Sequence, residues 1–585
     1  MVNPYIAIVD HTRKLIRFTS FVEVPPEATV NELKKKVVET ERDQKALDDL
    51  DVLDPEDAQE RIQSIFADKM KIVRVGGRNV VSTKFSDGEI LVVEIVKKEN
   101  LAHLRALMRS LDDSCKRKGL DDREDSRKRL RKAIRKAAPS SLAVATQFKA
   151  ISGPEDAIGC NHPFENDTVP ICLLDETFGL FKDRCRRPPS TKAMTLLVEL
   201  ASAVCEWHNS EDSRKLALRR LFKSKAELSF MEEVITVVVE ETDSTIECTT
   251  DGNLSSNIMP AAILGCKNES GRALYQAILY DSRFLDIALS TYAYCDSRFP
   301  CIILLDTGFY GCLWDGSRVR AEPLTPMFDL ATHCKARADR EAIASSLDAF
   351  MEAVARIESH YHSIKQVATN TPRAFGAAVD DEARGLPCKT HYEDAGRDIW
   401  IAFDERISDE NLVFAAHTSE PEKAEVLVKF TDRYSADAHR HLALAPHGAA
   451  PRLRGCFPVA GGWLAVVMEQ SEYKQLFAIT PELTPAERAK VQARVREIVD
   501  TLHGGGFVHG DIRSTNLLVD RASLGATAGD VKIHLIDYDW AGLDGEATYP
   551  IGINRSSVTR PDGAEGGKLI TKAHDIEMIS YLFKE

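Results

Sequence analysis

The stretch FVHGDIRSTNLLVD (507–520), followed by VKIHLIDYDWAG (531–542), decides the fold of this chain. Each segment is a short apolar run of β type broken by polar residues: His509, Gly510 and Asp511, then Asn516 five positions after Asp511, then Asp537 behind Ile536. Polar groups delivered at such offsets by two strand ends are what a site that moves a phosphoryl group requires.

Reading outward, TPAERAKVQARVREIVDTLH (484–503) opens with Thr484 and has Glu487 three residues on, which predicts a capping box and a helix. Gly504, Gly505 and Gly506 predict its stop, so that Phe507 and Val508 form a strand leading into the His509–Asp511 loop. Leu517 to Val519 and Ile533 to Leu535 read as a hairpin that brings Asn516 and Asp537 to one pocket. Upstream, AEVLVKFTDRY (424–434) reads as a strand and a turn, with Lys429 inside the apolar run. A strand lysine is ordinarily a surface residue, and Lys429 gains weight only from its order ahead of Asp511, Asn516 and Asp537.

These segments resemble the catalytic and metal-binding loops of the protein kinase superfamily. On that resemblance Asp511 accepts the proton of the substrate hydroxyl, Arg513 contacts the same phosphate, Asn516 and Asp537 hold Mg2+, and Lys429 pairs with the phosphates of ATP. It also assigns Met468 and Gln470 to nucleotide binding. The segments YSADAHRHLALAPHGAAPRL (434–453) and TYPIGINRSSVTRPDGAEGGKLITKAHDIEMI (548–579) are similar to fungal kinase domains that accompany Crinkler-type effectors. There Asp575 matches the aspartate that braces the catalytic loop; alone, it reads as an acid favoured at a helix N-terminus.

The departures are specific. Residues 400–425 contain no GxGxxG, the helix after Lys429 offers Asp437 and His439 but no glutamate to pair with the lysine, and Asp539 stands where kinases have the glycine of DFG. No APE follows, and the chain stops soon after Asp575. HGD followed by IDxD also resembles aminoglycoside and choline phosphotransferases. A small-molecule substrate and a pseudokinase therefore stay open beside a protein Ser/Thr substrate.

The middle of the chain, SFMEEVITVVVEETDSTIECTTDGNLSSNIMPAAILGCKNESGRALYQAILY (229–280), resembles the PD-(D/E)xK nucleases of the QxxxY branch: a helix bearing glutamates, Asp251 in a turn, a strand ending at Lys267, then Gln276 and Tyr280 four apart. That chemistry needs two carboxylates on a divalent metal and a lysine on the attacking water. Gly265 replaces the second carboxylate, so the resemblance implies a restriction-endonuclease-like fold with degraded catalysis and a possible DNA contact. The plainer alternative is a turn at Asp251-Gly252 and one helix face carrying Gln276 and Tyr280.

Residues 1–98 alternate like strands, with Thr29 capping a helix that carries Leu33 and Val37, a small β-grasp pattern that resembles the ubiquitin-like header of Crinkler-type effectors. Within 99–140, Lys116 to Lys118 and Arg127 to Lys132 are spaced like a bipartite nuclear-import signal, or form a solvated helix face balanced by Asp121, Asp122, Glu124 and Asp125.

With 585 residues the chain exceeds what one core supports, and its net charge of −14 disfavours bulk nucleic-acid affinity. The 13 cysteines have no metal-ligand spacing and read as reduced thiols, and no apolar run is long enough for a membrane span. The expectation is a multidomain α/β and α+β protein: a β-grasp ubiquitin-like header (1–98), a basic helical linker (99–140), a restriction-endonuclease-like α/β domain (141–345), a helix and linker (346–395) and a compact two-lobed kinase-like domain (396–585). The implied setting is cytoplasmic and nuclear, in a host cell if the chain is secreted by a non-classical route, with a protein substrate and no membrane partner.

Overall fold

A computed structural model describes four strands within residues 1–125, and residues 126–584 except 153–155, 161–167, 207, 240–243, 257, 267–269, 293–294, 296, 331, 371–380, 395, 409–410, 420–422, 445–447 and 526. The protein is mixed α/β with several sheets, and its contacts separate residues 1–125 from residues 126–585. In the first unit Tyr5–Val9 and Leu15–Thr19 form an antiparallel hairpin. Ile90–Ile95 lies parallel to Tyr5–Val9, and Met70–Val75 lies parallel to Ile90–Ile95. Parallel neighbours need a crossover. The helix expected after Thr29 and the basic residues Lys116 to Lys118 lie outside the described residues.

The second unit starts with a helix over residues 126–134, which buries Leu130, Ala133 and Ile134. Arg131 and Arg135 pair with Asp286 at 2.6 and 2.8 Å, and buried Arg283 donates to the carbonyls of Ile134 and Ala137 at the helix end. This half of the basic cluster is therefore docked on the body that follows it.

That body is a six-stranded mixed sheet in the order Ile158–Cys160, Val319–Pro323, Gly308–Trp314, Cys301–Leu305, Ala262–Leu264, Asn253–Leu254. Every residue of Cys301–Leu305 is buried, so both faces are covered, which is why the segment reads as a continuous apolar run rather than an alternation. Residues 229–233, expected on a helix, are non-helical and run into the strand Val234–Val239. Glu233 there accepts hydrogen bonds from Asn253 and Ser255 instead of facing a metal. The helix Arg337–Asn370 passes through the boundary drawn at 345/346 and places Ile343, Leu347, Phe350, Val354, Ile357 and Tyr361 in the core, a stripe of helical period. It is a core element of this body rather than a connection.

A second six-stranded sheet, antiparallel throughout, has the order Thr390–Asp394, Arg397–Arg406, Val413–Thr418, Glu425–Thr431, Trp463–Glu469, Leu453–Val459. It starts at Thr390, ahead of the boundary drawn at 395/396, and the helix Ala436–Ala443 interrupts it after Glu425–Thr431. Period-two alternation sends Val426, Val428 and Phe430 to one face, into a core shared with the preceding body. Lys429 leaves on the other face.

The remaining residues have their own core around the helix Pro485–Gly504, with Val491, Val495, Ile498 and Leu502 against Leu517, Val519, Leu535 and Met578. The helix carries the expected capping box: Glu487 N–H donates to Thr484 Oγ1 at 3.3 Å, and Thr484 N–H to Glu487 Oε2 at 2.8 Å. The strand Phe507–Val508 and the hairpin Leu517–Val519 with Ile533–Leu535 follow as the turn signals predict. Among the described residues no helix is long and apolar enough to cross a membrane.

Candidate active site

Lys429 reaches across the cleft between this sheet and the helical part that follows it. Its Nζ lies 2.7 Å from Asp537 Oδ1 and 2.8 Å from Asp539 Oδ1. Burial alone would depress the Lys429 pKa, but the two carboxylates outweigh it and hold the ammonium charged. Asp537 is half-buried, and although desolvation works against its charge, Lys429 keeps its pKa below the usual carboxylate range. Asp539 is pushed up to about 6, mainly by burial and against the pull of Lys429, with the negative charge of Asp537 adding to the rise. One cation thus faces two acids, and the trio carries net negative charge at neutral pH.

Asp537 has φ of +70°, the left-handed region that only glycine enters freely and that asparagine and aspartate tolerate best. Its side chain thereby turns back from the strand Ile533–Leu535 toward Lys429. Such strain persists only where surrounding contacts hold it. Here Tyr538 is the anchor: it is fully buried, donates to Leu535 O at 2.9 Å, stacks on His439 at 4.7 Å and meets His509 edge-on at 5.3 Å.

Asp511 is 5% exposed and held at both oxygens. Oδ2 accepts from Asn516 Nδ2 at 2.7 Å and Arg513 Nε at 3.0 Å. Oδ1 accepts from Arg560 Nη1 at 2.6 Å, and the guanidinium of Arg560 lies over the Trp540 ring at 4.8 Å. The loop itself is fixed from behind by Asp575, wholly buried at the start of the helix Lys572–Ile579. Asp575 accepts from the backbone N–H of Gly510 at 2.7 Å, that of His509 at 2.8 Å and His503 Nε2 at 3.0 Å. His509 accepts from Asp511 N–H on Nδ1, so its Nε2–H donates to Ile536 O at 3.2 Å; burial lowers its pKa and keeps the ring neutral.

Five of the positions chosen from sequence therefore meet as two clusters, Lys429 with Asp537 and Asp511 with Asn516 and Arg513. Met468 sits half-buried on Trp463–Glu469 and Gln470 is exposed just beyond it, where the chain leaves the sheet for the helical part. Two contributors were not singled out as site residues. Arg560 stands in a resemblance segment without an assigned role, and Asp539 reads only as a departure from the kinase pattern; no local signal marks it, because the chain has left the strand at Leu535 and turns through the left-handed Asp537.

Among the described residues no group of three or more His, Cys, Asp or Glu side chains could hold a metal by itself. Mg2+ is bound through one or two carboxylates together with substrate phosphates rather than an all-protein cage. Asp537, with the Asn516 side-chain carbonyl oxygen left over by its donating amide, fits that requirement.

The residues chosen in the central body behave differently. Asp251, 3% exposed, accepts from Cys266 N–H on Oδ2 at 3.0 Å and pairs through Oδ1 with Lys215 Nζ at 2.8 Å. Lys215, from the helix Glu211–Leu221, also pairs with Glu211 at 2.6 Å. These two acids outweigh burial and raise the pKa of Lys215. Gln276 donates to Tyr280 within one helix face, and the Tyr280 hydroxyl donates to Thr249 O, 31 positions away, at 3.0 Å. Lys267 lies outside the described residues.

No family model and no curated protein matches this chain. Among solved structures, it is similar to the Cydia pomonella granulovirus kinase PK-1, at 18% identity and a TM-score of 0.21 over 25% of this chain. The match spans about half of that protein, 53% of its length.

Proposed function

We propose that residues from about Thr390 to the end act as a phosphotransferase that uses ATP and Mg2+, with a protein Ser/Thr hydroxyl as acceptor. The observation that carries this reading is the meeting of Lys429 with Asp537 and of Asp511 with Asn516 in two clusters contributed by three segments and joined by Ile536 N–H donating to Asn516 O at 3.0 Å. The six-stranded antiparallel sheet with a helix inserted between Glu425–Thr431 and Leu453–Val459, followed by a separate helical core, supports it.

In this reading Lys429 binds the phosphates of ATP. Asp511 orients the acceptor hydroxyl and takes its proton, and Arg513, 32% exposed at its side chain, faces the negative charge that builds up during transfer. Mg2+, when bound, neutralises the transferring group, and Asp537 and Asn516 hold it. Asp575 serves by fixing the loop, since a base displaced by even 1 Å loses rate steeply.

Occupation of both Asp511 oxygens by protein donors favours one second reading, a nucleotide-binding pseudokinase. Transfer from γ-labelled ATP by the full chain, with and without Mg2+, separates the two. Magnesium-dependent labelling that is lost in Asp511→Ala and Asp537→Ala supports the kinase. ATP binding without transfer in a folded wild type supports the pseudokinase. Membership of a Crinkler-type effector group and action in a host nucleus rest on sequence resemblance alone and belong with this proposal.

A further inference from the structure

We infer that Asp539 is the positioning residue for Lys429, taking the part that a carboxylate on the adjoining helix plays in related sites, and that the lysine is therefore set without any movement of that helix. The inference rests on the phosphotransferase reading above for its functional consequence, and on geometry alone for the pairing.

Three observations carry it. First, Asp539 Oδ1 lies 2.8 Å from Lys429 Nζ, and its other oxygen accepts from Thr431 Oγ1 at 3.1 Å, two residues further along the lysine's own strand. Among the described residues Oδ1 is held by this ion pair without a hydrogen bond, the lysine's hydrogen bond going to Asp537 Oδ1 at 2.7 Å, and the one hydroxyl proton of Thr431 is shared between Asp539 Oδ2 and Arg433 O at 3.0 Å. Second, its backbone is fixed too: Arg433 Nε donates to Asp539 O at 2.7 Å and Arg433 Nη1 to Thr548 O at 3.0 Å. Third, the helix Ala436–Ala443 has no acid to offer. Asp437 has an 81% exposed side chain and pairs with Arg440, one turn along the same helix. His439, at the inward position, is engaged at both nitrogens, by Tyr434 at 2.7 Å and by Pro451 O at 2.7 Å. The carbonyl can only accept, so Nε2–H donates to it and Nδ1 accepts from the tyrosine hydroxyl.

The helix is also tied to the segment that carries Asp539. Ser435 N–H donates to Tyr538 O at 3.0 Å, and Tyr538 stacks on His439 with an interplanar angle of 7°. Asp537, which remains within reach of Lys429, is then free to exchange the lysine for the cation that neutralises the phosphates, because Asp539 still holds Nζ in place. A single carboxylate could not do both at once.

The test compares the full-length wild type with Asp539→Asn, which keeps the shape and removes the charge, Asp539→Ala, and Asp437→Ala as the helix control. Two readouts are taken: acetylation of Lys429 by acetic anhydride at fixed pH, followed by peptide mass spectrometry, and the KM for ATP in phosphoryl transfer. The expected result is faster Lys429 acetylation in both Asp539 variants, roughly tenfold for each unit by which the ammonium pKa falls. The KM for ATP should rise by an order of magnitude or more, and Asp437→Ala should match wild type in both readouts. Unchanged Lys429 reactivity in Asp539→Asn and Asp539→Ala, or an equal response to Asp437→Ala, overturns the inference. A folded wild type that transfers no phosphate refutes the proposed function and the effect on KM, while the acetylation arm still decides whether Asp539 holds Lys429.

Discussion

Asp511 shows how far one carboxylate can be committed before any substrate arrives. Arg560, with a side chain 1% exposed, is the more buried of its two arginine partners. Removing one member of such a pair leaves an unpaired charge inside the protein, at about 3–5 kcal/mol. Arg560→Ala should therefore lower the unfolding free energy in denaturant melts by about 3 kcal/mol, while Arg513→Ala, with its half-exposed side chain, should cost about 1 kcal/mol or less and act mainly on transfer. A second residue-scale case lies in the central body. Asp281 is 1% exposed, and among the described residues its carboxyl oxygens have only the weakly donating Cys301 thiol nearby, so burial pushes its pKa up to about 7 from an unfolded value near 3.8. Its folded pKa is raised, so the neutral form is the one the fold tolerates: stability is full below about pH 3.8, is lost as the pH rises toward 7, and is level above that. Asp281→Asn should gain up to about 4 kcal/mol over wild type at pH 8 and almost nothing at pH 4, read from the difference between paired melts.

At the scale of elements, the loop between Phe507–Val508 and Leu517–Val519 is held by the helix Lys572–Ile579 rather than by its own sequence. Asp575 satisfies two backbone donors and one histidine in a dry environment, and each orphaned donor costs about 1–3 kcal/mol. Asp575→Ala should destabilise this part of the chain by about 3 kcal/mol or more and abolish transfer, with Asp575→Asn intermediate in melting temperature. Gly510 is required for a related reason. Its φ is +81°, and a Cβ there would stand 2.7 Å from Ile570 Cδ1, so Gly510→Ala should impair the loop even though alanine is small. The sequence made this loop legible through the Gly504–Gly506 stop and the two flanking apolar runs. The brace was legible only through family resemblance, because nothing local distinguishes an acid in a first helical turn that binds a distant loop from one that faces water.

For residues 126–585 the main question is why the sheet that carries Lys429 is joined to the central body. The two share a buried core, with Val426, Val428 and Phe430 on the inward face of the lysine strand. Phe430 also lines a cavity of about 400 Å³ with Cys172, Cys388 and Trp400, so packing at this junction is incomplete. Its tight point is elsewhere. A Cβ on Gly179 would come within 2.7 Å of Ala460 Cβ, and Gly461 N–H donates to Asp183 at 3.2 Å. Gly179→Val should force these surfaces apart and split a shared calorimetric transition into two, while residues 485–584 keep their own melting behaviour. A single unsplit transition at the wild-type temperature would count against this coupling.

Local order was set by the amino-acid sequence alone: the capping box at Thr484, the glycine stop, the strand alternation around Lys429 and the hairpin leading to Asp537. The cap and the stop rest on contacts within a few residues and the hairpin on a single chain reversal, where backbone hydrogen bonding and the periods of 2 and 3.6 decide the outcome. Tertiary structure decided which charges meet. Lys429 and Asp537 are 108 positions apart, Asp511 and Arg560 are 49 apart, and Gly510 and Asp575 are 65 apart. It likewise gave Asp251 the cation Lys215 and made Arg337–Asn370 a core helix rather than a connection. Partners at such separations are chosen by how the chain crosses between layers, and an isolated charge carries no mark of the opposite charge that burial will force upon it.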